Sequence, residues 1–377
     1  MGFLNKISKS KEKSLYNHNR KLFNHAVSLS KAGKYEESLN ILNELLEIDF
    51  ERIHVLRSLY FIYKMLEDYE KSLEYIDSLL ELTEGTSVDL INKAEILIHL
   101  KKYDQSLICL DKLLNGSDMI NHAKLIKTNV LIELGDNEKA ESILSTVKFT
   151  KDETLDPDLW LSKGNNFAYL NRFNDAVYCF NKCINLGSTS YDLYYNLGIC
   201  YAKLDECDAA LECFDEALKL DVNSNILYNK GLTLYNSEDF EGALKVFEEG
   251  LNLDSNEYDF LNGKGSTLFK LNRFTDALEC YYRALELKPE DLFLMNNISM
   301  TLYELNRFDE SLDFANKLLN LDDNNFKGLF NKANALKGLK RYDEALVYYD
   351  KALSINEDDE DIIHEKEELL SLMCDSN

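Results

Sequence analysis

One spacing, 34 residues, constrains this chain of 377 residues more than any other feature. Leu170-Asn171-Arg172-Phe173, Leu271-Asn272-Arg273-Phe274 and Leu305-Asn306-Arg307-Phe308 are near-copies, and the last two lie 34 residues apart. Extended both ways, that register gives units beginning at Asn19, Ile53, Ser87, Asn121, Pro157, Tyr191, Ser224, Tyr258, Leu292 and Phe326. It is broken only by a two-residue insertion before Pro157 and a one-residue deletion before Ser224. Such a period marks small units that bury one continuous core by stacking, so the length does not call for two or three globular domains.

The chemistry of fixed positions supports the register. Position 20 is always small: Ser38, Ser72, Ser106, Ala140, Ala176, Ala210, Ala243, Ala277, Ser311 and Ala345. Position 11 is always large: Leu29, Tyr63, Leu97, Leu131, Phe167, Tyr201, Leu234, Leu268, Leu302 and Leu336. Position 17 is aromatic in eight units, with Asn137 and Cys207 the exceptions. Positions 4, 8 and 11 recur at helical spacing, as do 17, 20, 24 and 27, which predicts a helical hairpin with an apolar stripe on each helix. Small residues at 8 (Gly164, Gly198, Gly231, Gly265, Ala333) and at 20 let two backbones approach closely. The intervening turn carries Asn or Gly, which suits the left-handed residue that ends a helix.

These hairpins resemble the tetratricopeptide repeat, most closely over Tyr191–Asp221, Leu227–Asp254 and Phe260–Pro289. The resemblance covers about residues 19–359 and implies an all-α, right-handed superhelical solenoid of about ten helix-turn-helix repeats. The expected organisation is a basic tail over 1–18, degenerate repeats 1–4 over 19–154, repeats 5–10 over 155–359, and a capping helix and tail over 360–377. Tyr60 and Thr128 stand where the first helix wants a small residue. The irregular stretch 148–156 is the expected joint between two blocks of repeats.

Lys and Arg number 42 against 67 Asp and Glu, a formal charge of −25. A surface of that sign repels phosphate backbones, so no nucleic-acid partner is expected. Residues 1–21 run the other way, at net +5. No stretch approaches the ~20 apolar residues of a membrane span. Phe3, Leu4 and Ile7 are too few for a secretory leader, and Lys6 stands where a myristoylation motif wants Ser or Thr. The default compartment is the cytosol. Pro157 and Pro289, the two prolines, both suit helix boundaries.

Chemistry for catalysis is not legible. Of eight cysteines, Cys109, Cys179, Cys213 and Cys280 share position 23, which reads as helix packing, and no Cys-x-x-Cys pair occurs. The six histidines show no zinc-ligand spacing, and there is no glycine-rich phosphate loop. The expectation is no enzyme, no metal and no cofactor.

The resemblance implies a concave binding surface lined by the first helix of each unit, at positions 2, 5, 6, 9, 12 and 13. In repeats 5–10 these hold Asn196, Asn229, Asn297 and Asn331 at position 6, with Asn165 and Asn334 at position 9. They also hold the aromatic residues Tyr195, Tyr228, Tyr235, Phe269, Tyr303 and Phe330. Asparagine amides donate to and accept from a peptide backbone without reading its sequence, so these residues are the expected peptide-binding set. Charges at the same positions cancel, which predicts a neutral groove. Members of the family that grip the acidic C-terminus of heat-shock chaperones use Lys at position 5, which is absent here. That activity is not expected.

In the first two repeats Arg20, Lys31, Arg57 and Lys64 occupy inner positions with no acid opposing them in the same list, a candidate basic patch. Its candidate occupants are an acidic segment, such as 357–361 of a second copy, or an anionic membrane; a solvated tail with no occupant is the plainer alternative. The functional expectation is therefore a scaffold that binds proteins or peptides. The alternatives are an accessory subunit of a separate enzyme and a membrane organiser acting through the basic N-terminus.

Overall fold

The computed structural model describes residues 2–83, 85–114, 119–253 and 257–375. Among these residues the regular structure is helical, and there is no strand. The chain divides into two compact units, Met1–Gly187 and Ser188–Asn377. The first contains five hairpins: α1 (Gly2–Lys31) with α2 (Tyr35–Glu47), α3 (Arg52–Met65) with α4 (Tyr69–Leu82), α5 (Ser87–His99) with α6 (Tyr103–Leu113), α7 (Ile120–Glu133) with α8 (Asn137–Ser145), and α9 (Pro157–Tyr169) with α10 (Phe173–Asn185). The second contains α11 (Tyr191–Lys203) with α12 (Cys207–Leu220), α13 (Ser224–Asn236) with α14 (Phe240–Leu253), and α15 (Tyr258–Lys270) with α16 (Phe274–Leu287). It continues through α17 (Leu292–Glu304) with α18 (Phe308–Leu321) and α19 (Phe326–Gly338) with α20 (Tyr342–Leu353), and ends in α21 (Glu360–Asp375).

Odd-numbered helices are thus the first helices of repeats 1–10, and from Ser87 onward all but one begin on the residue the 34-residue register names; α7 starts one residue early. Two boundaries differ from expectation. Residues 2–18 of the segment expected to be a tail over 1–18 are the N-terminal extension of α1, which meets no Gly or Pro between Gly2 and Gly33, and Met1 lies outside the described residues. Tyr16 on that extension donates to Glu51 Oε1 at 2.7 Å and packs its ring near Phe50. The division between units falls after Gly187, not at 154/155. The inserted stretch is no loose joint: Asn121 Nδ2 donates to the Lys148 carbonyl (2.9 Å), Lys163 Nζ to that of Val147 (3.1 Å) and Trp160 Nε1 to that of Thr154 (3.1 Å).

The turn inside each hairpin repeats. Position 15 has positive φ in all ten repeats: Gly33, Glu67, Lys101, Gly135, Asn171, Asp205, Glu238, Asn272, Asn306 and Lys340. In every repeat but the seventh the following N–H then reaches back to the position-11 carbonyl, as in Arg172 to Phe167 (2.8 Å) and Arg307 to Leu302 (2.9 Å). This closes the helix end and satisfies a carbonyl that would otherwise be orphaned.

Inside the hairpin two packing solutions occur. In repeats 5–8 position 8 is Gly and position 24 is a buried aromatic, Phe180, Phe214, Phe247 or Tyr281. A Cβ placed on Gly231 would lie 2.6 Å from the Phe247 ring, so the ring occupies the space a side chain would need. In repeats 1–3 position 24 is Leu42, Ile76 or Leu110, and a position-20 serine fills the gap with its hydroxyl. Ser38 donates to the Ala26 carbonyl at 2.7 Å, Ser72 to that of Tyr60 at 2.8 Å and Ser106 to that of Ala94 at 3.0 Å.

Neighbouring repeats are joined by a recurring ion pair between position 7 and position 25 of the repeat before. It appears as Lys93–Asp77 (2.5 Å), Lys127–Asp111 (2.5 Å), Lys230–Asp215 (2.5 Å), Lys264–Glu248 (2.9 Å) and Lys366–Asp350 (2.6 Å). Each acid is half-exposed, so each pair adds only about 0.2–1 kcal/mol. At the insertion the acid is missing; Lys163 lies instead over the rings of Phe149 (5.1 Å) and Trp160 (5.9 Å), and burial lowers its pKa below the ordinary lysine value.

Candidate functional site

The first-helix face of the C-terminal unit carries most of the residues expected to bind, but many are already engaged. Position-5 rings lean on the position-24 ring of their own repeat: Tyr195 on Phe214 (6.3 Å), Tyr228 on Phe247 (6.3 Å) and Phe330 on Tyr349 (6.1 Å). Position-12 rings lean on position 17: Tyr235 on Phe240 (5.5 Å), Phe269 on Phe274 (5.2 Å) and Tyr303 on Phe308 (5.5 Å). All six remain partly exposed. Burial holds the Tyr195, Tyr228, Tyr235 and Tyr303 hydroxyls above the ordinary tyrosine pKa, so they stay neutral donors.

The asparagines require a correction. In repeats 7 and 10 the position-6 amide points back toward the preceding repeat and is used between repeats. Asn229 Nδ2 donates to the Tyr195 hydroxyl (3.1 Å) and to the Asn225 carbonyl (2.9 Å). Asn331 Nδ2 donates to Asn296 Oδ1 (2.9 Å). Asn297 and Asn331 are only 6% and 7% exposed. They are not a free ladder for a ligand backbone. Asn196 and Asn334 are partly exposed, and Asn334 Oδ1 accepts from the Tyr349 hydroxyl.

Four of the expected residues nevertheless meet at one place. Tyr303 of α17 and Phe330, Asn331 and Asn334 of α19 line a cavity of about 250 Å³ with Glu304 and with Asp361, His364 and Glu365 of α21. The cavity opens against Ser299 and Ser311 of repeat 9, where position 24 is Ala315 and one ring fewer fills the hairpin. Lys337 ties the wall together, donating to Glu365 (2.8 Å) and Glu368 (2.6 Å). Its burial opposes the charge, but the two carboxylates outweigh that and raise its pKa, while the bond from Lys337 lowers that of Glu368. This site is therefore acidic rather than neutral, because α21 contributes acids that a reading of repeats 5–10 leaves out. The signal was present: Glu360 lies 34 residues after Phe326, so α21 occupies the first-helix place of an eleventh unit.

In the N-terminal unit, Asn165 lines a cavity of about 560 Å³ with Glu95, His99, His122, Glu133 and Asp158, and Asn166 beside it donates to the Leu125 carbonyl (2.9 Å). The basic patch does not stand as expected. Arg57 forms a two-pronged pair with Asp89 (3.0 and 2.7 Å), Lys64 donates to Glu95 (2.5 Å) and Asn92 (2.8 Å), and Arg20 pairs with Glu51. Asp89 and Glu95 belong to repeat 3 and Glu51 to the turn before α3, so charges read along the inner positions of the first two repeats alone looked unopposed. Asp89 is 1% exposed and also accepts from the Tyr60 hydroxyl (3.2 Å), the Thr86 hydroxyl (2.9 Å) and the Thr86 backbone N–H (3.0 Å). Burial pushes its carboxyl up, but Arg57 and Thr86 outweigh that and hold it below the ordinary value. Lys31 alone of the four is exposed with no carboxylate partner among the described residues.

The cysteines are free thiols. Burial pushes Cys179, Cys183 and Cys200 up to about 12, which keeps them protonated and inert. Among the described residues no helix is long and apolar enough to cross a membrane.

A family model described as tetratricopeptide repeat matches residues 191–224, 258–291 and 326–359, and a second of the same description matches 224–257. Among solved structures, the chain is similar to YrrB, a TPR protein with an unusual peptide-binding site, at 25% identity over 50% of this chain and 97% of that one (TM-score 0.43). It is also similar to the APC/C Cut9–Hcn1 hetero-tetramer, at 15% identity over 95% and 85% (TM-score 0.49). Yeast Tom70 is similar at 16% identity over 95% and 96% (TM-score 0.42). No curated protein is close enough in sequence to match.

Proposed function

Since the chain belongs to the tetratricopeptide repeat family, we propose that it binds an extended segment of a partner polypeptide along the first-helix face of its C-terminal unit. The repeat fold is that of a protein-interaction scaffold. The cavity between α17, α19 and α21 is the anchor of this reading. The observation that carries it is the meeting of Tyr303, Phe330 and Asn334 with Glu304, Asp361 and Glu365 in one opening. Rings supply apolar contact, Asn334 supplies an amide, and the acids favour a segment bearing Lys or Arg.

Magnitudes set the affinity. A hydrogen bond nets about 0.5–1.5 kcal/mol, whereas ordering a flexible segment absorbs about 2–5 kcal/mol. Two or three apolar side chains, at about 1.5–3 kcal/mol each, must cover the difference. The balance corresponds to a dissociation constant in the low micromolar range, about −8 kcal/mol. The test is capture of partners from cell extract by the full chain and by a Glu304→Lys/Asp361→Lys variant, both positions being exposed. Partners lost from the variant support the site; an unchanged set of captured proteins removes it.

A further inference from the structure

The N-terminal unit holds a second opening of different character, independent of the site proposed above. A cavity of about 440 Å³ lies among α1, α3 and α5, within the size range of ligand pockets. Phe23 and Val27 of α1, Tyr60 and Phe61 of α3, and Val88 of α5 form its apolar walls. Its ionisable groups other than Tyr60 are Lys31, His54 and Arg57, and no Asp or Glu lines it. That is unusual in a chain of net charge −25, and the other two cavities described above each carry three carboxylates. The apolar character also runs beyond the cavity. Phe61, Met65 and Val88 are 50%, 52% and 52% exposed, on the same inner positions 9, 13 and 2 that face a ligand in the repeat register.

We propose that this face docks a partner polypeptide segment carrying a large apolar side chain flanked by Asp or Glu. The apolar residue enters between Phe23, Phe61 and Val88, and the acid meets Lys31, the rim cation that no carboxylate of the described residues neutralises. Arg57 is held by Asp89 and so shapes the wall instead of contributing a free charge. Screening over about 8 Å at physiological salt confines repulsion from the rest of this acidic chain to its own neighbourhood. Exposed Met65, on the same face but outside the cavity lining, continues the apolar surface beyond it, which fits a chain of residues and not a single small amphiphile.

The test selects random twelve-residue peptides displayed on phage against the full chain, with counter-selection on the full-length Phe61→Glu variant. Surviving peptides are expected to pair Leu, Ile, Phe or Trp with a neighbouring Asp or Glu. A synthetic survivor is expected to lose about ten- to a hundredfold in affinity on Phe61→Glu. On Lys31→Glu it should lose about threefold, a loss reversed when its own acid is exchanged for Lys. Both substituted side chains are exposed, and unchanged helicity by circular dichroism verifies the fold. No survivors, or survivors rich in Lys and Arg, overturn the proposal. So does a face that takes dodecanoate in a displacement assay yet selects no peptide.

Discussion

Repeats 1–3 and repeats 5–8 build the same hairpin from different side chains. The first group sets Ser at position 20 against an aliphatic residue at 24, and lets the serine hydroxyl satisfy a carbonyl across the hairpin. The second sets Gly at position 8 against an aromatic ring at 24, with Ala at 20. Both keep the left-handed residue at position 15. In repeats 1, 3 and 5–8 the side chains at positions 8, 20 and 24 therefore share one space, as expected for an interior packed to crystal-like density, whereas in repeat 2 Tyr60 at position 8 reaches out of the hairpin to Asp89 of α5.

The comparison is broken most forcefully by removing the large partner. Phe214→Ala is expected to cost about 3–5 kcal/mol in urea denaturation followed by circular dichroism. Leu110→Ala, at the same position of repeat 3, is expected to cost about 2–5 kcal/mol, nearer the low end if the site collapses on Ser106. Next in size is the polar network around buried Asp89 in the N-terminal unit. Asp89→Asn should cost about 1.5–3 kcal/mol by weakening charged hydrogen bonds to Arg57, and Trp160, the single tryptophan, reports unfolding of that unit by fluorescence. The folded pKa of Asp89 lies below its unfolded value, so its stabilisation is complete above about pH 4 and fades as pH falls through the lower folded value. In the Asn variant that acid-dependent part disappears. Smallest is the shared turn. Lys101→Gly, at φ 57°, should raise stability by up to about 1 kcal/mol, and Gly135→Ala, at φ 77°, should lower it by a similar amount.

Much of this architecture was readable without coordinates, because a repeat announces itself within one unit. The helix starts, the close approach at 8 and 20, and the turn at position 15 all follow from spacing and side-chain volume. What escaped reading lies between units. The acids opposing Arg57 and Lys64 sit 32 and 31 residues further on, and the amides of Asn229 and Asn331 turn back to the preceding repeat. Only geometry brings those positions together. Helix α21 was read as a cap alone, so Asp361, His364 and Glu365 were missed as walls of the cavity. On the N-terminal face attention to charge hid Phe61, Met65 and Val88, which occupy the same register positions and would have been found by listing apolar residues there.

A double-mutant cycle at Gly231 and Phe247 tests most directly whether the two packing solutions are exchanged as sets. Gly231→Ala alone drives a methyl into the ring and should cost about 1–3 kcal/mol; Phe247→Leu alone loses part of a buried ring and should cost about 1 kcal/mol or more. Made together they approximate the Ala–Leu pairing of repeat 3, and the account predicts a combined loss smaller than the two single losses added by at least about 1 kcal/mol. Losses that add to within about 0.5 kcal/mol would contradict it, since positions 8 and 24 would then not share one volume.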